Sequence, residues 1–148
     1  MDKTIESRIH SIRVLRFHQE EPEKPFEKGE NFIVNTRLTT GVDQKEKKLQ
    51  IRIDVDIRQT EESPILVSIA TAMIFDLKGD IIFVVNQEGK PTIPTAILNP
   101  LASVAYSTTR GILFTKIGAS TLSSLILPLM PITKLTDQIS FSESEPSD

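Results

Sequence analysis

Leu49-Gln50-Ile51-Arg52-Ile53-Asp54-Val55-Asp56-Ile57-Arg58 is the most regular stretch of the chain, with an aliphatic residue at every odd position and a polar or charged one at every even position. Side chains alternate across a strand, so this period of 2 puts the aliphatic set on a buried face and the charged set in water. A sheet with one wet face needs apolar cover on the other only, which points to an antiparallel sheet with helices on one side. Downstream, after a polar turn at residues 60–64, Ile65, Val67, Ile69, Met73, Phe75 and Leu77 keep the same phase, with small Ser68, Ala70 and Ala72 opposite. Upstream, Phe32, Val34, Thr36 and Leu38 alternate with Asn35, Arg37 and Thr39, and residues 41–48 form a polar turn. Before them, Ile9, Ile12, Val14, Leu15 and Phe17 read as a strand whose apolar phase changes near Ser11, the mark of a β-bulge. Residues 19–31 are a charged connection holding Pro22 and Pro25. Four strands in succession predict an antiparallel meander. Residues 81–85 either extend that sheet or begin a crossover, and 87–91 break the pattern.

Residues 93–135 are almost uncharged, but the chain does not read as membrane-spanning there. A spanning helix needs about 20 predominantly apolar residues with every backbone group paired. Prolines at 91, 94, 100, 128 and 131 interrupt the two longest uncharged runs, and Arg110 and Lys116 separate them. Asn99-Pro100 offers an N-cap followed by proline at the first helical position, so a helix is expected over residues 100–117, with Gly118 as its stop. Gly111 and several Ser and Thr residues make it intrinsically weak, since Gly inside a helix is worse than Ala by roughly 1 kcal/mol. Its small residues Ala102, Ser103, Ala105 and Gly111 suit close approach of another helix. Leu122, Leu125, Ile126, Leu127, Leu129, Met130 and Ile132 then form an apolar arm, and an acidic, serine-rich tail expected to be disordered closes the chain. The domain reading is one domain over residues 1–136 and a tail over 137–148.

The 148 residues suffice for one core built mainly from Ile, Leu and Val. A net charge of −3 with no basic run argues against nucleic acid. The absence of cysteine excludes disulfides and thiol chemistry. The first residues lack the basic region and apolar core of a signal peptide, so a cytoplasmic location is expected.

Candidate chemistry is sparse. His10 and His18 lie about 26 Å apart along one strand at roughly 3.3 Å per residue, too far to share an ion within one chain. Asp54 and Asp56 alternate with Arg52 and Arg58 and read as solvated charges. Gly79-Asp80 and Gly89-Lys90 are lone turns without phosphate-loop spacing. Arg110 either pairs across a helix interface or extends its head to solvent over a packed stem. No nucleophile with its base, no metal cluster and no cofactor fingerprint can be assembled, so no cofactor is expected and a small-molecule enzyme ranks third, behind two readings as a binding protein.

The order of elements completes the picture. The chain resembles the SecB family of protein-export chaperones over nearly its whole length. The matching stretches are Ile12-Arg13-Val14-Leu15-Arg16-Phe17, the strand pair at 49–57 and 65–72, Met73-Ile74-Phe75-Asp76-Leu77, and Ala96-Ile97-Leu98-Asn99-Pro100. Leu125-Ile126-Leu127-Pro128-Leu129-Met130-Pro131-Ile132 is similar to the family's exit from its long helix, and Ala105 to Leu113 to SecB-like proteins outside the proteobacterial type. The resemblance implies an α+β fold, with a four-stranded antiparallel sheet and a long helix plus a short C-terminal helix on one side. It implies an ATP-independent holdase, a homotetramer built as a dimer of dimers, that keeps unfolded or pre-secretory proteins in apolar grooves. The client-binding residues it suggests are Phe17, Phe32, Val34, Leu125, Leu127, Leu129, Met130 and Ile132; the oligomer interface it suggests is Ala102, Ala105, Tyr106, Thr109, Arg110 and Leu113. Further partners are the SecA motor or a toxin–antitoxin pair. The positions matching the family's acidic SecA-docking residues carry Val14 and His18, and the tail lacks a basic, Gly-rich ending, so a chaperone or binding module dedicated to a narrow client such as an antitoxin stands beside the export reading, both ahead of an enzyme.

Overall fold

The computed structural model describes residues 5–21, 32–81, 83–118 and 140–141, the last two as backbone only. The main sheet contains β1 (Glu6–Gln19), β2 (Ile33–Asp43), β3 (Lys48–Arg58), β4 (Ile65–Lys78) and the two-residue β7 (Ser140–Phe141). β5 (Val84–Val85) and β6 (Pro91–Thr92) form a separate hairpin, and α1 (Thr95–Ile117) follows it. The strand order is β1-β4-β3-β2-β7. The expected meander is therefore corrected: β2, β3 and β4 are hairpin neighbours, but β1 lies beside β4, a Greek-key order. The reason is connection length. Short polar turns at 44–47 and 59–64 oblige β2, β3 and β4 to be neighbours, whereas the longer link between β1 and β2 imposes no such neighbour. β7 adds a short parallel pairing to β2, with Thr39 opposite Ser140 and Thr40 opposite Phe141.

β3 is the centre of the sheet, as its alternation demands. Leu49, Ile51, Ile53 and Val55 are fully buried and Ile57 nearly so. The register carries the inner face outward from β3: Ile53 faces Leu38 on β2 and Thr71 on β4, and Val55 faces Thr36 and Ile69. β1 continues it with Ile9, Ile12, Val14 and Phe17 opposite Phe75, Met73, Thr71 and Ile69. Two register shifts, between Ile9 and Ser11 and between Val14 and Arg16, keep those four on one face despite their uneven spacing. The change of phase near Ser11 is the first of them.

Ile81 and residues 83–85 do not extend the main sheet. They lead into the β5–β6 hairpin, whose turn is closed by Asn86: its Oδ1 accepts the N–H groups of Glu88 and Lys90, both at 2.9 Å. Gly89 takes the left-handed conformation there, φ 78°.

The helix begins one turn before its expected start. Pro94 precedes it in an extended conformation, and its carbonyl accepts from Ile97 (2.9 Å) and Leu98 (3.0 Å). Pro100 thus lies inside α1 rather than at its first position, and Asn99 is no cap. Proline there removes only the hydrogen bond to the Ala96 carbonyl, and Ala96 and Pro100 are both exposed, so water can serve that carbonyl. The extra turn buries Leu98 to 3% exposure, which outweighs the cap signature. α1 packs on β3 and β4. A buried hydrogen bond fastens it: Thr71 Oγ1 and Thr109 Oγ1 are 2.7 Å apart, and Thr109 donates to the Ala105 carbonyl at 2.8 Å. The expected C-terminal helix and arm fall outside the described residues, and of the tail only Ser140 and Phe141 are described, as β7 beside β2.

Candidate functional site

Because α1 covers the middle strands, the inner face of the sheet projects on either side of it. On the β2 side, Phe32, Val34 and Val42 are half-buried against the core; Ile81, Phe83, Ile97 and Ile112 are half-buried against it as well. β6 packs against β2 on this side. Two polar atoms on these elements, Thr36 Oγ1 on β2 and Asn99 Oδ1 on α1, are buried without a hydrogen-bond partner. An apolar surface at the edge of a sheet suits a ligand that supplies aliphatic side chains, as an extended polypeptide does.

On the β1 side, Ile9, Ile12 and Val14 are 45%, 46% and 41% exposed. Phe17 is half-buried, with the Lys116 ammonium 5.1 Å from its ring centre, which places the C-terminal end of α1 over that end of β1. Large apolar side chains this exposed along an edge strand are the mark of a surface made for contact.

Of the residues expected from the sequence to bind a client, Phe17 and the pair Phe32 and Val34 are therefore brought to opposite flanks of α1. Leu125, Leu127, Leu129, Met130 and Ile132 lie outside the described residues. Val42, Ile81, Phe83 and Ile97 are further half-buried apolar residues that the sequence does not single out. Val42 continues the phase of Val34 and Leu38, but its neighbours led it to be assigned to a polar turn; Ile97 was placed before the helix.

The residues expected at an oligomer interface lie mostly on the inner side of α1. Ala102, Ala105, Tyr106, Thr109 and Leu113 are 0–4% exposed in the single chain because they face its own sheet. Burial raises the Tyr106 pKa, and the nearby Arg110 guanidinium lowers it in part. Arg110 is half-buried at the side of the helix. The exposed stripe of α1 holds Pro100, Ser103, Val104, Ser107, Gly111, Phe114 and Thr115. Val104 and Phe114 on it are 41% and 57% exposed. Spacing alone did not separate the two faces, since small residues occur on both.

The outer face of the sheet is charged. Asp54 accepts from Arg52 at 2.9 and 3.0 Å and from Arg16 at 3.4 Å. His10 bonds Asp76 at 3.0 Å and His18 bonds Glu20 at 3.0 Å, so each histidine has its own carboxylate partner. Partial desolvation of Asp76 works to raise its pKa, but hydrogen bonds from His10 and Arg8 outweigh it, and the carboxyl lies below its ordinary value. Among the described residues no group of three or more His, Cys, Asp and Glu could hold a metal ion, and no helix is long and apolar enough to cross a membrane.

No protein-family model and no curated protein matches the chain. Among solved structures it is similar to the Mycobacterium tuberculosis SecB-like chaperone in complex with a ChAD peptide from the HigA1 antitoxin, at 20% identity and a TM-score of 0.61, covering 84% of this chain and 90% of that one. A Streptococcus agalactiae protein of unknown function aligns at 16% identity over 86% of this chain and 98% of that one, with a TM-score of 0.42. The antiparallel sheet with its edge strand β1 beside β4, and the long helix laid over the middle strands, are thus those of the SecB-like fold.

Proposed function

We propose that this protein is an ATP-independent chaperone of the SecB-like type, holding extended apolar segments of other polypeptides against the inner face of the sheet beside α1. The observation that carries the proposal is the half-buried apolar row Phe32, Val34 and Val42 at β2, the strand against which β6 packs. Burial of client side chains there supplies about 25 cal/mol per Å². One groove is weak, and several on one assembly raise the affinity through multivalency. Self-association, as the homotetramer implied by the SecB resemblance, would use the exposed strip of β1 and the outer stripe of α1. The apolar arm with Leu125, Leu127, Leu129, Met130 and Ile132 is assigned to the same client surface.

Clients are non-native chains, pre-secretory proteins in the cytoplasm among them. A second reading, a chaperone dedicated to one client, is favoured by the SecB-like neighbour that carries an antitoxin peptide. The test is aggregation of a chemically denatured reporter enzyme on dilution, followed by light scattering. The full chain should suppress it below one oligomer per client, and Phe32→Asp with Val34→Asp should lose most of that suppression while remaining folded by circular dichroism at the assay temperature. Leu127→Asp with Met130→Asp tests the arm in the same way. Suppression undiminished in the first pair would remove the groove beside β2 from the mechanism.

A further inference from the structure

The outer face of the sheet, opposite α1, holds a cavity of ≈ 560 Å³ lined by Arg16, Arg37, Thr39, Arg52, Asp54, Asp56, Ile65 and Ser68. A flat sheet makes no such hollow by itself. It exists because β4 turns only small residues outward here, Ser68 opposite Asp56 and Ala70 opposite Asp54, while Arg16 on β1 and Arg37 and Arg52 on β2 and β3 stand around them.

The charges are not balanced within the hollow. Arg52 grips Asp54 with Nε and a terminal nitrogen, and Arg16 reaches the same carboxylate while donating to Ser68 Oγ at 3.0 Å. Arg37 stands directly opposite Asp54 in the register, finds that carboxylate already engaged, and makes no hydrogen bond or ion pair with any described residue. Asp56 lies at one end, beside Asn35. Three guanidinium groups thus face two carboxylates, a positive surface on a chain whose net charge is −3.

We infer that this hollow is a second binding site, taking a carboxylate side chain of an acidic peptide segment from a partner protein, with Arg37 as its principal ligand. A guanidinium is a planar fork that fits a carboxylate through two parallel N–H···O bonds. The hollow is wider than one carboxylate needs. Ile65 and the arginine stems can cover the methylenes of a glutamate, and Thr39 and Ser68 add hydroxyl groups for its backbone. Asp56 sets the direction, repelling acidic residues from its end and accepting a backbone N–H. The site faces away from the groove beside β2 and does not depend on what that groove binds.

The experiment is fluorescence anisotropy of the full chain with a labelled hexaglutamate peptide, with hexalysine and a Gly-Ser peptide of equal length as controls. Hexaglutamate should bind, weaken steeply with added salt, and lose affinity by about fivefold or more in Arg37→Glu, with Arg37→Lys between the two; circular dichroism of the variants should match wild type. Inorganic phosphate should compete only at much higher concentration. Equal binding of hexaglutamate by wild type and Arg37→Glu, or equal binding of hexalysine, would overturn the assignment. So would a gain in hexaglutamate affinity in Glu143→Gln with Glu145→Gln, which would make the chain's own acidic segment the occupant.

Discussion

The hydrogen bond between Thr71 and Thr109 has a direction that can be tested by stability alone. Thr109 gives its one hydroxyl proton to the Ala105 carbonyl at 2.8 Å, so it can only accept from Thr71, 2.7 Å away. The two threonines are 2% and 0% exposed, out of reach of bulk water. Thr109→Val keeps the shape but leaves the Thr71 hydroxyl buried without an acceptor, a penalty of about 1–3 kcal/mol. Thr71→Val leaves Thr109 bonded to Ala105 and removes only one net hydrogen bond, about 1 kcal/mol or less. The double variant removes the orphan and should be more stable than Thr109→Val alone, a coupling of about 1–2 kcal/mol. Urea unfolding by circular dichroism at one fixed protein concentration measures all three, since self-association adds to apparent stability. With a slope of about 2 kcal/mol per M, Thr109→Val should lower the midpoint by roughly 1 M. A double variant less stable than Thr109→Val, or a Thr71→Val more damaging than Thr109→Val, would refute the stated direction.

The remaining predictions concern the helix, the acid limb and assembly. Leu98→Ala should destabilise the fold by about 2–5 kcal/mol in the same urea assay, because the first turn of α1 is fixed by burial rather than by a cap; a loss below half a kcal/mol would place Leu98 outside the core. The Asp76 carboxyl has a depressed pKa, so it adds stability above its unfolded value near pH 4 and loses that contribution as pH falls through the folded value. Asp76→Asn should therefore separate from wild type near pH 7 and approach it as pH falls below the unfolded value near 4 and on through the folded one; a gap independent of pH would contradict this. Val104→Glu with Phe114→Glu should shift the mass seen by light scattering toward the single chain's 16.6 kDa, and an unchanged mass would clear the outer stripe of α1 from the assembly.

Much of the sheet was legible because one interaction dominates it. In β3 each odd residue is buried and each even one is not, so the pattern at 49–58 states the strand, its faces and its central place at once. The order of the strands was not legible, since alternation says which face is buried but not which strand lies alongside. The helix start was misread at Asn99-Pro100, where a local capping signature competed with burial of Leu98 and lost. The helix faces were not legible for a related reason: Ala105 and Ser107 are both small, and only the sheet beneath decides that the first is covered and the second is not. On the outer face, Arg37, Arg52 and Asp54 were visible as alternating charges. The hollow between them was not, because it depends on Ala70 lying beside Asp54 in another strand.

Pairing β1 with β4 also fixes the order of events when the chain folds. Arg8 and Asp76 are 68 residues apart in sequence and Arg16 and Ser68 are 52 apart, whereas β2, β3 and β4 can zip through short turns. Closing the larger loop carries the larger entropy penalty, so β1 is expected to dock last, on a sheet already built. It is also made first on the ribosome, and Ile9, Ile12, Val14 and Phe17 must wait in water until β4 has emerged. During its own synthesis, then, this chain presents a stretch of the kind it is proposed to guard in others, and neighbouring nascent copies could collide through it before the sheet closes.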